Sequence, residues 1–424
     1  MRVHPTFRIR LLVGFILVVF AMGCAKHVDI PFARTSSGFA MDGSRQIAVG
    51  GAPDLVTIIK LADSSVTFDG WSAPPLPLPG SGGFAVGARD GRIFIVDVHD
   101  SLTHTIQLPT HQAIDQLLCD SSRLYVIDVR GAITAFDFAG KQLWTNPGIG
   151  TLTVPAVLSQ NGLFLPVGQN VSVISTDQGT TLWQRNSSMS MCAISYSDKS
   201  NLIALGLNTN DPNGADSVLL FNPNGSISFA FGFPKTEITS NIALTRTDGK
   251  TLIFGALGEA TDSRRDAEIC AYLFTTGTLK QVWKHKVPFL VGNVASNAVA
   301  AFASGFRTVE GEVVSGVAAF SLLDTTMLWQ RRFTEPLVAP VASGDGSIYF
   351  VMNFESEAMV SSRGLFYALS SGDGKTMLEK PMPGATSGLL FGMPMPDEQG
   401  RLLVADRAKA VVYALDRSAL RRLF

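Results

Sequence analysis

Lys141-Gln142-Leu143-Trp144, Thr180-Thr181-Leu182-Trp183, Lys280-Gln281-Val282-Trp283 and Thr326-Met327-Leu328-Trp329 are four versions of one stretch. Each follows a polar turn and ends on tryptophan. Trp71 closes a looser run from Ser65 and completes the five tryptophans of the 424-residue chain. Two of the runs continue identically, as Gln184-Arg185 and Gln330-Arg331. A residue this rare and large recurs in register where the chain repeats a structural unit.

Working outward from Trp144, the unit begins with an apolar run, Arg123–Ile127. A loop, a second run Ala132–Asp137, the turn Ala139-Gly140-Lys141 and the tryptophan run follow. The same order runs from Leu163 to Trp183, from Ser347 to Leu378 and from Leu402 to Leu420, with weaker copies starting near Ile47, Phe84, Leu202, Leu252 and Ala298. The starts are separated by roughly 37–54 residues, in the range of propeller repeats of about 40–50. Apolar stretches between units, such as Leu152–Leu158, Cys192–Tyr196 and Asn241–Thr245, read as one more strand each. The runs are short, rich in Val, Ile, Leu and Phe, and bounded by Gly, Asp and Asn, which is strand grammar. Four-stranded units repeated radially make an all-β propeller, in which each blade covers the apolar face of the next. The tryptophan run is then the outer strand, and Leu108, Phe229 and Leu378 stand near its place in copies that lack the ring. Nine hairpins suggest eight blades, with one terminal hairpin incomplete or the two chain ends sharing a blade; seven and nine are the alternatives. Val28, Ile30 and Phe32 alternate as a closing strand would.

The first 23 residues are not propeller. Arg2, Arg8 and Arg10 precede the apolar run Leu11–Met22, a charged head and a core too short to span a bilayer comfortably. The run ends on Ala21-Met22-Gly23-Cys24, which resembles the bacterial lipoprotein signal and implies lipidation of Cys24. The expected organisation is a signal peptide over 1–23, a lipidated tether or closing strand over 24–37, and a propeller over 38–424. Removing 1–23 takes away three arginines and no acid, so the remainder is net acidic. It offers no basic field for nucleic acid. Cys119, Cys192 and Cys270 lie in different units and read as buried small residues.

The units resemble the pyrroloquinoline-quinone-type propeller repeat. The marks are Leu124-Tyr125-Val126, Phe366-Tyr367-Ala368-Leu369, Val412-Tyr413-Ala414-Leu415-Asp416, the turn Gly372-Asp373-Gly374-Lys375, and the reiterated Leu-Trp. Quinoprotein dehydrogenases are one branch of that superfamily. They are usually longer and often carry a vicinal cysteine pair or a haem-attachment motif, neither of which occurs in this sequence. In length, signal and repeats the chain is more similar to the non-catalytic lipoprotein branch, which includes the propeller subunit of the outer-membrane β-barrel assembly machine. That resemblance implies a periplasm-facing outer-membrane lipoprotein with protein partners.

Catalytic and metal motifs fail on inspection. Gly374-Lys375-Thr376 ends like a phosphate loop, but Leu369 occupies the position of the required glycine. Asp211–Asp216 lacks the acidic first ligand and closing glutamate of a calcium loop. His99, His104 and His111 have no zinc spacing and read as surface histidines. Loop length is more informative. Between second and third strands the early loops are short, at Ala88–Gly91, Val129–Gly131 and Gly168–Asn170. Four consecutive later ones are longer, at Asn208–Asp216, Gly258–Glu268, Arg307–Val314 and Asn353–Arg363. Adjacent blades set such loops side by side on one face as a raised rim. It would carry Asp211, Asp216, Glu259, Asp262, Asp266, Glu310, Glu312 and Glu355 with Arg264, Arg265, Arg307 and Arg363. Loops held by a rigid scaffold are where binding residues concentrate.

The expectation is therefore a monomeric, membrane-tethered propeller that binds a protein partner through this rim, performs no chemistry and uses no cofactor. The alternatives are a propeller of another envelope system binding protein or glycan, and a quinone-dependent oxidoreductase.

Overall fold

The structure is a computed structural model. It describes residues 46–47, 56–61, 70 and 72–197, then 200–416 with gaps, the longest at 210–214, 260–266, 334–340, 355–362, 382–394 and 406–410. Residues 1–45, with Cys24 and the 28–32 alternation, lie outside the described residues, as does Trp71.

Every element among the described residues is a strand, and the strands group into eight sheets. Sheet I holds Leu76–Pro77, Phe84–Gly87, Arg92–Val96 and Leu102–Gln107. Sheet II holds Ile114–Cys119, Arg123–Asp128, Ile133–Asp137 and Gln142–Asn146. Sheet III holds Val157–Ser159, Gly162–Val167, Asn170–Ile174 and Thr181–Asn186. Sheet IV holds Ser190–Ser197, Leu202–Asn208, Ala215–Phe221 and Ile227–Pro234. Sheet V is built on Lys250–Glu259, Ala267–Thr275 and Thr278–Val287, with Thr236–Ile238 and Ala243–Thr247 both pairing its long strand. Sheet VI holds Val291–Ser296, Ala300–Val309, Glu312–Ser321 and Met327–Phe333. Sheet VII holds Val341–Ala342, Ser347–Phe354, Arg363–Ser370 and Thr376–Pro381. The inner strand of sheet I falls inside the proline- and glycine-rich patch 74–83.

Sheet VIII joins the two halves of the chain. Its strands Met395–Pro396, Arg401–Ala405 and Val411–Asp416 are C-terminal, and its outer strands Val56–Lys60 and Gln46–Ile47 are N-terminal. Ile58 sits opposite Tyr413 and Val56 opposite Leu415. The first and ninth hairpins of the sequence are thus one sheet, which reduces nine units to eight sheets.

Consecutive sheets bury their faces against each other. Phe84, Val86 and Phe94 of sheet I meet Leu403, Val412 and Ala414 of sheet VIII. Tyr125, Ile127 and Ala135 of sheet II meet Leu163, Leu165 and Ile174 of sheet III. The same packing continues sheet by sheet to VI and VII, where Phe302 and Trp329 meet Tyr367 and Leu369. Antiparallel four-stranded sheets packed face to face in sequence order are the blades of a β-propeller.

The tryptophans lie on the outer strands, as their repeat implied. Trp144, Trp183, Trp283 and Trp329 each follow a β-bulge and sit opposite Ala135, Val173, Ala271 and Ala319. Phe229 and Leu378 take the same place in sheets IV and VII. In sheet I that place belongs to His104, opposite Ile95, and not to Leu108, which lies beyond the strand end. His104 is half-buried, and its Nε2 is covered without a hydrogen-bond partner, so it acts as a packing ring and not as a surface histidine.

Trp144, Trp183 and Trp329 each reach a turn of the next sheet. A Cβ added at Gly179 would lie 2.4 Å from the Trp144 ring, and one at Gly374 would lie 2.6 Å from the Trp329 ring. Both glycines have positive φ, which the turn requires and L side chains avoid. The indole of Trp144 donates to Thr176 O, and that of Trp329 donates to Ser371 O, both at 2.9 Å. Two residues beyond the ring a second donor follows. Asn146 reaches Gly179 O, Arg185 reaches Gly225 O and Arg331 reaches Gly374 O. The repeated Gln-Arg has its cause there: Arg185 and Arg331 satisfy the carbonyl of the glycine turn in the neighbouring blade.

Candidate functional site

Two faces follow from the antiparallel order. Turns between second and third strands lie beside the connections between sheets: Val129 N donates to Ala113 O, and a Cβ on Gly131 would meet Gly150 O at 2.0 Å. Turns between first and second, and between third and fourth, strands form the other face.

On the first face the hairpins are longest in sheets V to VII and shorter again in sheet VIII, whose middle strands have 5 and 6 residues. The middle strands have 4 and 5 residues in sheet I, but 10 and 9 in sheet V, 10 and 10 in sheet VI, and 8 and 8 in sheet VII. The segment Arg307–Val314, expected as a loop, is strand: Arg307 pairs with Val314, Thr308 with Val313 and Val309 with Glu312. Backbone ladder bonds continue past the blade into a projecting hairpin. Glu259 pairs with Thr236, and Arg363 pairs with Phe354, so both also end strands. Asp211, Asp262, Arg264, Arg265, Asp266, Glu310 and Glu355 lie outside the described residues.

Asp216 differs from the rest. It is 2 % exposed, and its carboxylate accepts Thr209 N at 2.9 Å and Ile238 N at 2.8 Å. It ties the base of the sheet IV hairpin to the next sheet, so it serves the scaffold and not the outer surface. Burial pushes its carboxyl above the ordinary value, against the two N–H groups that hold it down. A folded pKa above the unfolded one means that stability from this group is fully present below the unfolded pKa. It is lost as pH rises through the folded pKa. The carboxyl carbon of Asp216 should therefore titrate above the exposed aspartates when followed by NMR. Asp216→Asn should remove that share of the acid-side slope.

Sequence reasoning missed Phe306, which is 37 % exposed and adjoins Arg307 on the projecting hairpin. It follows a run, 300–305, that is buried throughout, so nothing in the sequence distinguished it from core. At the base of the sheet V hairpin Glu268 pairs with Lys284 and, at 3.9 Å, with Lys286.

On the second face a depression of about 430 Å³ opens between sheets III and IV. It is lined by Asn161, Leu182, Trp183, Asn201, Asn222, Pro223 and Asn224. Cys192 and Cys270 are buried between sheets IV and V, and Cys119 is half-buried; none of the three is in a disulfide. Burial pushes the Cys270 thiol up to about 11. No cluster of His, Cys, Asp or Glu suited to a metal ion occurs among the described residues.

No family model and no curated protein matches the sequence. Solved structures do. BamB from Moraxella catarrhalis is 16 % identical, with a TM-score of 0.57 over 84 % of this chain and 96 % of that one. Quinohemoprotein alcohol dehydrogenase from Comamonas testosteroni is 11 % identical, with a TM-score of 0.59 over 82 % and 75 %. The chain has a β-propeller fold that is similar to theirs. The computationally designed protein Ika8, 12 % identical, matches at a TM-score of 0.56 over 82 % of this chain and 98 % of that one. The propeller architecture is thus shared by proteins with little sequence in common, and its sites lie in what each chain adds to it.

Proposed function

We propose that the chain is a cell-envelope propeller, anchored through Cys24, that binds a protein partner and acts as a scaffold in outer-membrane protein assembly. On this reading residues 38–424 form a monomeric ring of eight blades closed by sheet VIII, and residues 1–23 are removed. The observation that carries it is the one-sided growth of the hairpins from sheet IV to sheet VII. Four neighbouring blades raise backbone on the same face, and sheets I, II, III and VIII have shorter middle strands. Tolerated insertions would scatter round the ring, whereas a docking surface needs adjacent ones.

The charged residues expected on that rim, Asp211, Glu259, Asp262, Arg264, Arg265, Asp266, Arg307, Glu310, Glu312, Glu355 and Arg363, suit a partner of basic or mixed charge. Phe306 adds an aromatic anchor of the kind that dominates interface energetics. The fold likeness to BamB and the resemblance of the signal to lipoproteins support the placement in the envelope. Replacing 260–266 and 355–362 by short turns should release a co-purifying partner while the thermal midpoint stays near that of the parent. Retention of every partner by the folded variant would rule out the rim.

The fold likeness to a quinohemoprotein dehydrogenase supports a second reading, a quinone-dependent oxidoreductase. Incubation with quinone and calcium followed by absorbance separates the two: the scaffold reading predicts no retained chromophore.

A further inference from the structure

The depression between sheets III and IV has a structural origin. Arg123 begins the second strand of sheet II, and its guanidinium crosses to the next blade, where it meets Thr176 O at 2.9 Å and Asp177 at 2.6 Å. Register puts Gly162 at the same place in sheet III, since Leu124 pairs with Phe136 as Leu163 pairs with Ile174. Where one junction holds an arginine, the next holds no side chain, and space remains. The turn beneath corresponds too: Pro223 stands where Thr176 stands. Trp144 donates to Thr176 O, while the Trp183 indole N–H is covered and has no hydrogen-bond partner. This junction is the less filled of the two.

The groups around the space are uncharged and rich in amides. Asn161, Asn201, Asn222 and Asn224 come from three different turns. Asn222 spends its Nδ2 on Ser226, and Asn224 spends its Oδ1 on Ser226 N and Oγ. The amide oxygen of Asn222, the amide NH2 of Asn224, and both ends of the Asn161 and Asn201 side chains make no hydrogen bond among the described residues. Each side-chain amide offers an acceptor and two donors. Beside them stand the Trp183 ring and Leu182, which is 53 % exposed on the bulge before it. The volume lies within the roughly 300–1,000 Å³ of small-molecule sites.

We propose that this cleft binds a neutral saccharide unit. A pyranose presents hydroxyls that both donate and accept, which suits unspent amides, and a C–H face that packs on an indole and a leucine side chain. A charged ligand would find no counter-charge among the lining residues. The site faces away from the projecting hairpins, so it is separate from the proposed partner surface, and either can fail without the other.

The test is a ¹⁵N–¹H spectrum of the whole soluble chain titrated with maltotriose and with N-acetylglucosamine trisaccharide. The Trp183 indole signal is assigned by its loss in Trp183→Phe. The expected result is a saturable shift of that indole with at least one sugar, weakened tenfold or more in Asn161→Arg, which places an arginine in the cleft, and in Asn161→Ala/Asn201→Ala. Thermal midpoints of these variants should stay near that of the parent. Four results would overturn the proposal: no shift with either sugar, a shift that both cleft variants leave unchanged, a shift shared by the other indoles, or a response to arginine amide in place of sugar.

Discussion

Replacing Arg401 by methionine should lower stability by about 3–5 kcal/mol, the usual cost of leaving a buried charge without its partner. Arg401 begins the second strand of sheet VIII. Its Nε meets Asp397 at 2.7 Å, and its Nη1 meets both oxygens of Asp100, on sheet I, at 2.8 and 2.9 Å. The side chains of Arg401, Asp100 and Asp397 are only 9 %, 4 % and 1 % exposed. Methionine fills similar volume but leaves two carboxylates facing each other with little water. The guanidinium Nη2 is itself buried without a partner, which lowers what the cluster contributes but not the cost of breaking it. Nearby, Gln399 Nε2 donates to Gly82 O and Val98 O across the same junction.

Arg123 supplies the control, because it makes the equivalent reach from sheet II to Asp177 of sheet III with 27 % and 75 % exposure of the two side chains. In water that pair is screened, and Arg123→Met should cost no more than about 1 kcal/mol. Urea midpoints of the two variants measured side by side check the contrast. Equal losses would mean that burial does not set the cost.

Trp329→Ala should also lose about 3–5 kcal/mol. The ring is 9 % exposed, packs in the core between sheets VI and VII, and donates to Ser371 O. Truncation leaves a void in that core and a carbonyl without its donor. The reciprocal change, Gly374→Ala, should destabilise as well. Its φ is +68°, and the new methyl would lie 2.6 Å from the Trp329 ring. Neither atom has room to move, since the turn is held by Gly374 N to Ser370 O at 2.9 Å. Leu328, next to the ring but 42 % exposed on the bulge, is the matched control: Leu328→Ser should stay within about 0.5 kcal/mol.

The blade was legible because its signals are local. Tryptophan, turn glycine and alternating apolar residues recur within one unit, so outer strands and hairpins follow from a single copy. The pairing of the two chain ends in one sheet was less legible. Ile58 finds Tyr413 across most of the chain, and nothing in either hairpin names the other. His104 was misread for a different reason. It fills the tryptophan place with a smaller ring whose polarity suggests surface, and only the bulge register reveals it.

The Arg307–Val314 segment was legible as a long connection but not as a paired hairpin. Polar residues at 307–314 read as loop, yet the hairpin keeps its backbone ladder as far as Val309 and Glu312. Asp216 looked like one more rim acid until two backbone N–H groups from separate segments were found on its carboxylate. The cleft between sheets III and IV left no mark in the sequence, because it arises from a glycine standing where another blade has arginine.

The most direct test of the scaffold reading is site-specific photo-crosslinking in cells, with the reactive residue at 262 or 310, which that reading assigns to the rim, and at 178 on the opposite face. Gln178 is exposed on the turn between the last two strands of sheet III, so it samples the surface away from the hairpins. The prediction is one discrete protein adduct from 262 and 310 and none from 178, with the partner identified by mass spectrometry. Adducts of equal yield from both faces, or from 178 alone, would contradict the assignment of function to the rim.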